Sequence, residues 1–239
     1  IEFFLHKKMD VVTGNSRAVI GQLVEEGIPK EKLKLIYNGV SIRDVSTPME
    51  NISEKPLEIV CVANLIPYKG HVDLLEALAR LPKNLSWHVT CVGGGAGYME
   101  ILVKEATAKG IAENVTFTGS VIDPAQYLSR ASVAVNCSHQ EGFSNAILEY
   151  MAFGLAIVAT DVGGNAEAIR DEVDGLIVAS RDAGALNQAL LRLFDGGLRK
   201  RLGENATQRV AESFSLEVCL DQYDKMYRNL TVSSSLDQS

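Results

Sequence analysis

From Leu57 onward, short runs that are apolar at nearly every position alternate with stretches of helical periodicity. This alternation restricts the fold more than any other feature of the chain. The runs cover 57–63, 87–92, 115–118, 133–137, 156–160 and 175–179, and helical patterns lie between them at 71–81, 98–109, 124–130, 144–153 and 165–170. A strand without a polar side needs cover on both faces, and a helix after each strand supplies it. The pattern predicts an α/β fold with a Rossmann-like, doubly wound parallel sheet and right-handed crossovers.

Beyond Ser180 the chain reads as helical, over 182–194, 198–214 and 216–230. The last helix carries Leu216, Leu220, Tyr223, Met226, Tyr227 and Leu230 at helical spacing, an apolar stripe that has to cover something. The polar, serine-rich residues 231–239 predict a flexible tail. At the other end, residues 1–43 read as a strand (11–13), a helix (16–26) and a strand (33–37), followed by a linker-like stretch over 44–56. A lone β-α-β unit cannot bury both of its faces. It is therefore expected to be the terminal piece of a domain whose earlier part is missing. The two segments 1–43 and 216–230 are expected either to self-associate or to be poorly ordered.

Composition narrows the function. A net charge of −7 without a lysine- or arginine-rich run argues against nucleic acid as a partner. The densest basic cluster, Arg199-Lys200-Arg201, reads as a solvated helix face. No apolar run approaches the roughly 20 residues that span a membrane, and residues 1–8 become charged too soon for a secretion signal. Cys61, Cys91, Cys137 and Cys219 show no Cys-x-x-Cys spacing, and three of them sit in predicted strands. They read as small buried hydrophobes in a reducing compartment rather than metal ligands, which places the protein in the cytoplasm.

Ligands of open parallel sheets bind beyond the carboxyl ends of the strands, and three loops there are unusual. Asn64-Leu65-Ile66-Pro67-Tyr68-Lys69-Gly70 puts Lys69 just before a helix start, where partial positive charge and free backbone donors favour an anion. Gly93-Gly94-Gly95-Ala96-Gly97 allows close backbone approach, but Tyr98 breaks the dinucleotide-binding glycine pattern, and a tight strand–helix turn explains it equally well. The third loop is Glu141-Gly142-Phe143-Ser144-Asn145, with Ser144 placed as an N-cap and Gly154 as the C-cap of the helix that follows. Glu149 is the one carboxylate of that helix, among Ile147, Leu148, Met151 and Ala152. A carboxylate there needs donors, which ribose hydroxyls, the backbone or a tyrosine could supply.

The spacing Glu141-x7-Glu149 around Gly142-Phe143-Ser144 resembles the signature of the retaining GT-B-fold glycosyltransferases of family 4, at the C-terminal, donor-binding half of their fold. Companion pieces agree: Asn38-Gly39-Val40, Lys69-Gly70, Gly93-Gly94-Gly95, Phe117-Thr118-Gly119 and Asp161-Val162-Gly163-Gly164-Asn165-Ala166-Glu167. The resemblance implies a nucleotide-sugar-binding domain over 57–214 and a crossover helix over 215–230. It implies that Glu149 holds ribose hydroxyls, that Glu141 contacts the transferred sugar, and that Lys69 neutralises the leaving diphosphate without a metal ion or other cofactor. Asn64, Gly94 and the backbone of Gly142, Phe143, Ser144 and Asn145 would cradle the donor, and Ser120 and Val121 would flank the base. The donor would be a UDP- or GDP-sugar, and the acceptor a sugar, lipid-linked or small-molecule hydroxyl in cell-surface polysaccharide or glycolipid synthesis, at the inner face of the membrane. Retention without an enzymic nucleophile would proceed by front-face displacement. Asn64 departs from the family, which often has an arginine there. With only a β-α-β remnant of the acceptor domain, the chain is expected to bind donor without efficient turnover. A nucleotide-sugar epimerase on the same plan and a non-catalytic nucleotide-sugar sensor are the alternatives.

Overall fold

The computed structural model describes residues 9–42 and 56–236. The linker predicted over 44–56 therefore lies outside the described residues except for Pro56, as do residues 1–8 and 237–239. The first unit is β1 (Val12–Gly14), α1 (Arg17–Glu25) and β2 (Leu33–Leu35), its strands paired in parallel. The main sheet contains β3 (Leu57–Val62), β4 (Trp87–Val92), β5 (Val115–Phe117), β6 (Val133–Asn136), β7 (Ala156–Thr160) and β8 (Leu176–Val178). Around it lie α2 (His71–Ala79), α3 (Ala96–Ala108), α4 (Ala125–Leu128), α5 (Asn145–Ala152), α6 (Asn165–Ala168) and α7 (Ala183–Arg192). Two longer helices, α8 (Gly196–Ser213) and α9 (Leu216–Leu236), end the described chain.

All six strands run parallel in the order β5-β4-β3-β6-β7-β8. The sheet is doubly wound, as the apolar runs require. Along β3, Leu57, Ile59 and Cys61 enter one hydrophobic cluster with α2, α3 and α7, and Val60 enters another with α4, α5 and α6. That alternation is the two-residue period of a strand with a core on each side. β6 and β7 are buried at every position. Cys61, Cys91 and Cys137 are buried free thiols in the first cluster. Burial pushes the Cys91 thiol up, and a hydrogen bond to Cys61 followed by burial does the same at Cys137.

The winding direction reverses between β3 and β6, which are in register only at Ile59–Val133 and Val60–Ala134. Past that pair, Tyr150 of α5, fully buried, bridges the strands: its hydroxyl accepts the Val62 N–H at 2.7 Å and lies 3.4 Å from the carbonyls of Val62 and Val135. The chain leaves β3 for a helix on one face and β6 for a helix on the other. A crevice opens beyond the two carboxyl ends.

The described part of residues 1–43 packs against the main domain. Tyr37 packs its ring against Phe143 and Phe214 at centroid distances of 5.1 and 5.4 Å. Val40 N–H donates to Phe214 O, and Leu216 N–H donates to Val40 O. Glu167 accepts from the backbone N–H of Arg17 and Ala18 and from the Tyr37 hydroxyl, placing a negative charge on the N-terminus of α1. Arg199 also departs from its reading: it is buried, donates to Leu193 O, and burial lowers its pKa. The last helix continues to Leu236 rather than stopping at residue 230. Lys225–Asp221 and Arg228–Asp224 pairs support it, and adding residues to an existing helix costs less than nucleating one. Leu216, Leu220 and Tyr227 remain exposed along it.

The aromatic contact holds the first unit to the main domain. Phe214→Ala is expected to destabilise the protein by about 3–5 kcal/mol, read by denaturant unfolding. It should also accelerate hydrogen exchange in β1 and β2; unchanged exchange there would mean that other contacts carry the docking.

Candidate functional site

Two loops meet across the crevice. The loop after β3 is anchored by the fully buried Leu65 and ends in a tight turn at Pro67–Lys69. Gly70 closes the turn at φ 71°, and a Cβ at this position would lie 1.9 Å from the carbonyl oxygen of Cys137. Only glycine permits both the left-handed backbone and the contact. The facing loop, after β6, is joined to it and to α2 at three further points. His139 N–H donates to Tyr68 O at 2.7 Å, the Cys137 thiol donates to Lys69 O at 3.2 Å, and His139 Nε2 lies 2.6 Å from Asp73 Oδ2.

These joints bring the two sequence-predicted catalytic residues together. Lys69 Nζ sits 2.7 Å from Glu141 Oε1, with the two side chains 18% and 11% exposed. The Ser138 hydroxyl donates to the same oxygen at 2.7 Å, and Asn136 Nδ2 approaches it at 3.4 Å. Oε2 takes no hydrogen bond among the described residues. The carboxylate is thus anchored by one oxygen and open at the other. A pair this sheltered interacts more strongly than a surface pair, and each charge depends on its partner.

Asn136, nearly buried at the end of β6, organises the surroundings. Its Nδ2 donates to the Ser144 hydroxyl at 3.0 Å, and its Oδ1 lies 3.3 Å from Asn165 Nδ2. Thr160 fixes the loop from β7 through Ser138 O at 2.6 Å. Gly163, at φ 54°, leaves room for the Glu141 carbonyl, which a Cβ would approach to 1.9 Å. Gly164 N–H then donates to Gly142 O at 2.8 Å.

The other predicted residues are placed unevenly. Gly94 faces Ser120, whose hydroxyl would lie 2.2 Å from a Cβ on the glycine, so the loops after β4 and β5 touch. Val121 is partly buried against the second cluster, and Asn64 is exposed. Ser144 occupies the N-cap of α5 but does not cap with its hydroxyl, which Asn136 engages instead. The Phe143 ring is buried in the Tyr37–Phe214 contact, leaving only its backbone for a ligand. Asn145 Oδ1 accepts from Asn38 Nδ2 at 2.7 Å and so faces the first unit. Glu149 is partly exposed rather than sunk among apolar neighbours, because Ile147, Leu148 and Met151 point to the core. It lines a cavity of about 240 Å³ with Gly39, Val40, Ser41, Asp123 and Pro124.

Sequence reasoning missed Asn136, Ser138, Thr160, Asn165 and the His139–Asp73 pair. The available signal was the abrupt change from an apolar strand to Asn136-Cys137-Ser138-His139. A larger cavity, about 540 Å³, lies between Arg17, Tyr37, Glu167, Arg209 and Gln222, away from this chemistry. Glu167 is already engaged there by α1 and Tyr37. No cluster of three or more His, Cys, Asp or Glu side chains among the described residues could hold a metal ion.

A doubly wound parallel sheet with a lysine–glutamate pair at its reversal point makes this an α/β domain of the Rossmann type. The model of the glycosyl transferases group 1 matches residues 43–209, and the chain belongs to that family. N-acetyl-alpha-D-glucosaminyl L-malate synthase of Bacillus anthracis is 28% identical over 92% of this chain and 60% of its own length. The solved sucrose-phosphate synthase of Thermosynechococcus elongatus is 28% identical, with a TM-score of 0.84 over 97% of this chain and 61% of that one. HepE of Anabaena, crystallised with UDP and glucose, shares the fold at 23% identity, with a TM-score of 0.86 over 95% of this chain and 65% of that one. The sheet and its helices are those of the GT-B glycosyltransferases. The chain spans about 60% of the length of the curated relative.

Asn136→Ala is expected to cost about 1–3 kcal/mol, because it takes the hydrogen-bond partner from the buried Ser144 hydroxyl and leaves Asn165 with the Thr160 carbonyl alone. Thermal unfolding measures the loss. An unchanged melting temperature would mean that these groups find other partners.

Proposed function

We propose that this chain is the donor-binding part of a glycosyltransferase that takes a sugar from a UDP- or GDP-sugar and passes it to an acceptor hydroxyl with retention of configuration. The observation that carries the reading is the Lys69–Glu141 pair held across the reversal point, with Glu141 Oε2 open toward a ligand. Lys69 supplies positive charge for a leaving diphosphate at the head of α2, and Glu141 Oε2 accepts a hydroxyl of the transferred sugar. Gly94 and Ser120 line the path between them and the base, which Ser120 and Val121 flank. Glu149 meets the ribose from the cavity it shares with Gly39, Val40 and Ser41. UDP in the crystal of HepE supports a nucleotide as the occupant.

The acceptor, a sugar, a lipid-linked sugar or another small hydroxyl compound, binds on a domain that the chain carries only in part. Alone the chain binds donor and turns over poorly. The full enzyme acts in polysaccharide or glycolipid synthesis, in the cytoplasm and at the inner face of the membrane. No described helix is long and apolar enough to cross a membrane. The exposed Leu216, Leu220 and Tyr227 of α9 are the surface through which the chain self-associates.

Thermal-shift measurements with UDP, GDP, ADP and their sugars test the reading; no stabilisation by any of them would refute it. Glu149→Ala is expected to weaken nucleotide binding by about 1.5–3 kcal/mol and Glu149→Gln by less, because a charged acceptor is worth more than a neutral one. Calorimetry with an unchanged affinity for the alanine variant would remove Glu149 from the ribose.

Lys69→Ala is expected to weaken nucleoside diphosphate binding far more than nucleoside binding and to flatten its salt dependence. Equal losses for the two ligands would place Lys69 outside the phosphate site.

A further inference from the structure

We propose that Glu141 is also the counter-ion that turns the spent nucleoside diphosphate out of the site, so that the same carboxylate favours intact donor and disfavours product. This rests on the donor-site reading above. Three observations lead to it. Lys69 forms an ion pair with Glu141 at 2.7 Å and pairs with no other carboxylate among the described residues. The pair is sheltered from solvent, with side-chain exposures of 18% and 11%, so screening by water and salt is weak. Glu141 is held in place by Ser138 and Asn136 on the oxygen that meets Lys69, so it cannot easily swing away when an anion arrives.

The consequence follows from the charges of the two ligands. In a sugar donor the terminal phosphate is esterified and carries one negative charge. Once the sugar has left, the terminal phosphate of the nucleoside diphosphate carries about one more near neutral pH. That extra charge appears where Lys69 and Glu141 meet. The intact donor can offset its repulsion from Glu141 by giving a sugar hydroxyl to Oε2. The product has lost the transferred sugar and with it the hydroxyl for Oε2, and its added charge raises the repulsion. Glu141 and the departing diphosphate then compete for Lys69, and re-forming the 2.7 Å pair favours release. The anchoring by Ser138 and Asn136 keeps the competitor in position through the exchange.

The test is calorimetry on the chain as it stands with UDP, GDP, UDP-glucose and GDP-mannose. Whichever base binds, Glu141→Gln is expected to tighten the nucleoside diphosphate and not the sugar donor. The ratio of their affinities should shift toward the diphosphate by about tenfold. In a Lys69→Gln background the same change should shift the ratio less than threefold, because there is no ammonium left to compete for. Should Glu141→Gln fail to fold, Glu141→Asp, which keeps the charge but withdraws it from Lys69, is expected to shift the ratio in the same direction by a smaller factor. A ratio unmoved by Glu141→Gln, or moved equally with and without Lys69, would overturn the proposal. Failure of the unaltered chain to bind any of the four ligands would instead overturn the donor-site reading.

Discussion

The contact between the loops after β3 and β6 is the constraint on which the site depends. The two strands stop pairing after Val60 and Ala134, and the chain leaves them toward opposite faces of the sheet. Left alone, the loops would diverge. Gly70 against Cys137, His139 against Tyr68 and Asp73, and Tyr150 beneath them close the gap. Each joint is short-ranged, and together they bring the Lys69 and Glu141 side chains to within 2.7 Å of each other. Sites that work by charge placement need this rigidity, because an electrostatic interaction is useful only if its groups need not reorganise.

The polar network below the site is a consequence of the same closure. Parallel strands buried on both faces carry almost no polar side chains, yet β6 ends in Asn136 and β7 in Thr160. Both lie where the loop bearing Glu141 turns back over the sheet, and both make hydrogen bonds to it. Buried polar groups are tolerated when satisfied, and satisfied ones specify geometry more sharply than apolar packing does. Gly163 and Gly164 do the complementary work by leaving space for the carbonyls of Glu141 and Gly142.

The first unit belongs to this frame as well. Phe143, read from sequence as part of the donor loop, points its ring away from the crevice and onto Tyr37 and Phe214. The loop is therefore held from both sides, by the polar network within and by the aromatic contact behind. Glu167 ties α1 to α6 through the same seam. A motif that reads as one string divides, in three dimensions, between the crevice and a docking face.

What the sequence determined by itself is the periodic part. Runs apolar on both sides specify a covered parallel sheet, because no other arrangement buries them, and all six expected strands are present within a residue or two of their limits. Lys69 stood out as a charge just before a helix start and Glu149 as the one carboxylate of an apolar helix, whereas Glu141 entered through its spacing from Glu149 and the resemblance that this spacing carries. Tertiary structure alone decided which of them meet. Lys69 and Glu141 are 72 residues apart and pair only because the sheet order sets β3 beside β6. Asn136, Asp73 and His139 looked ordinary because their importance lies in partners distant along the chain. Arg199 was misread because a local pattern specifies a helix face, whereas the neighbours that bury the side chain arrive only on folding; Ser144 does take the N-cap position, but its hydroxyl is engaged by Asn136 from a distant strand.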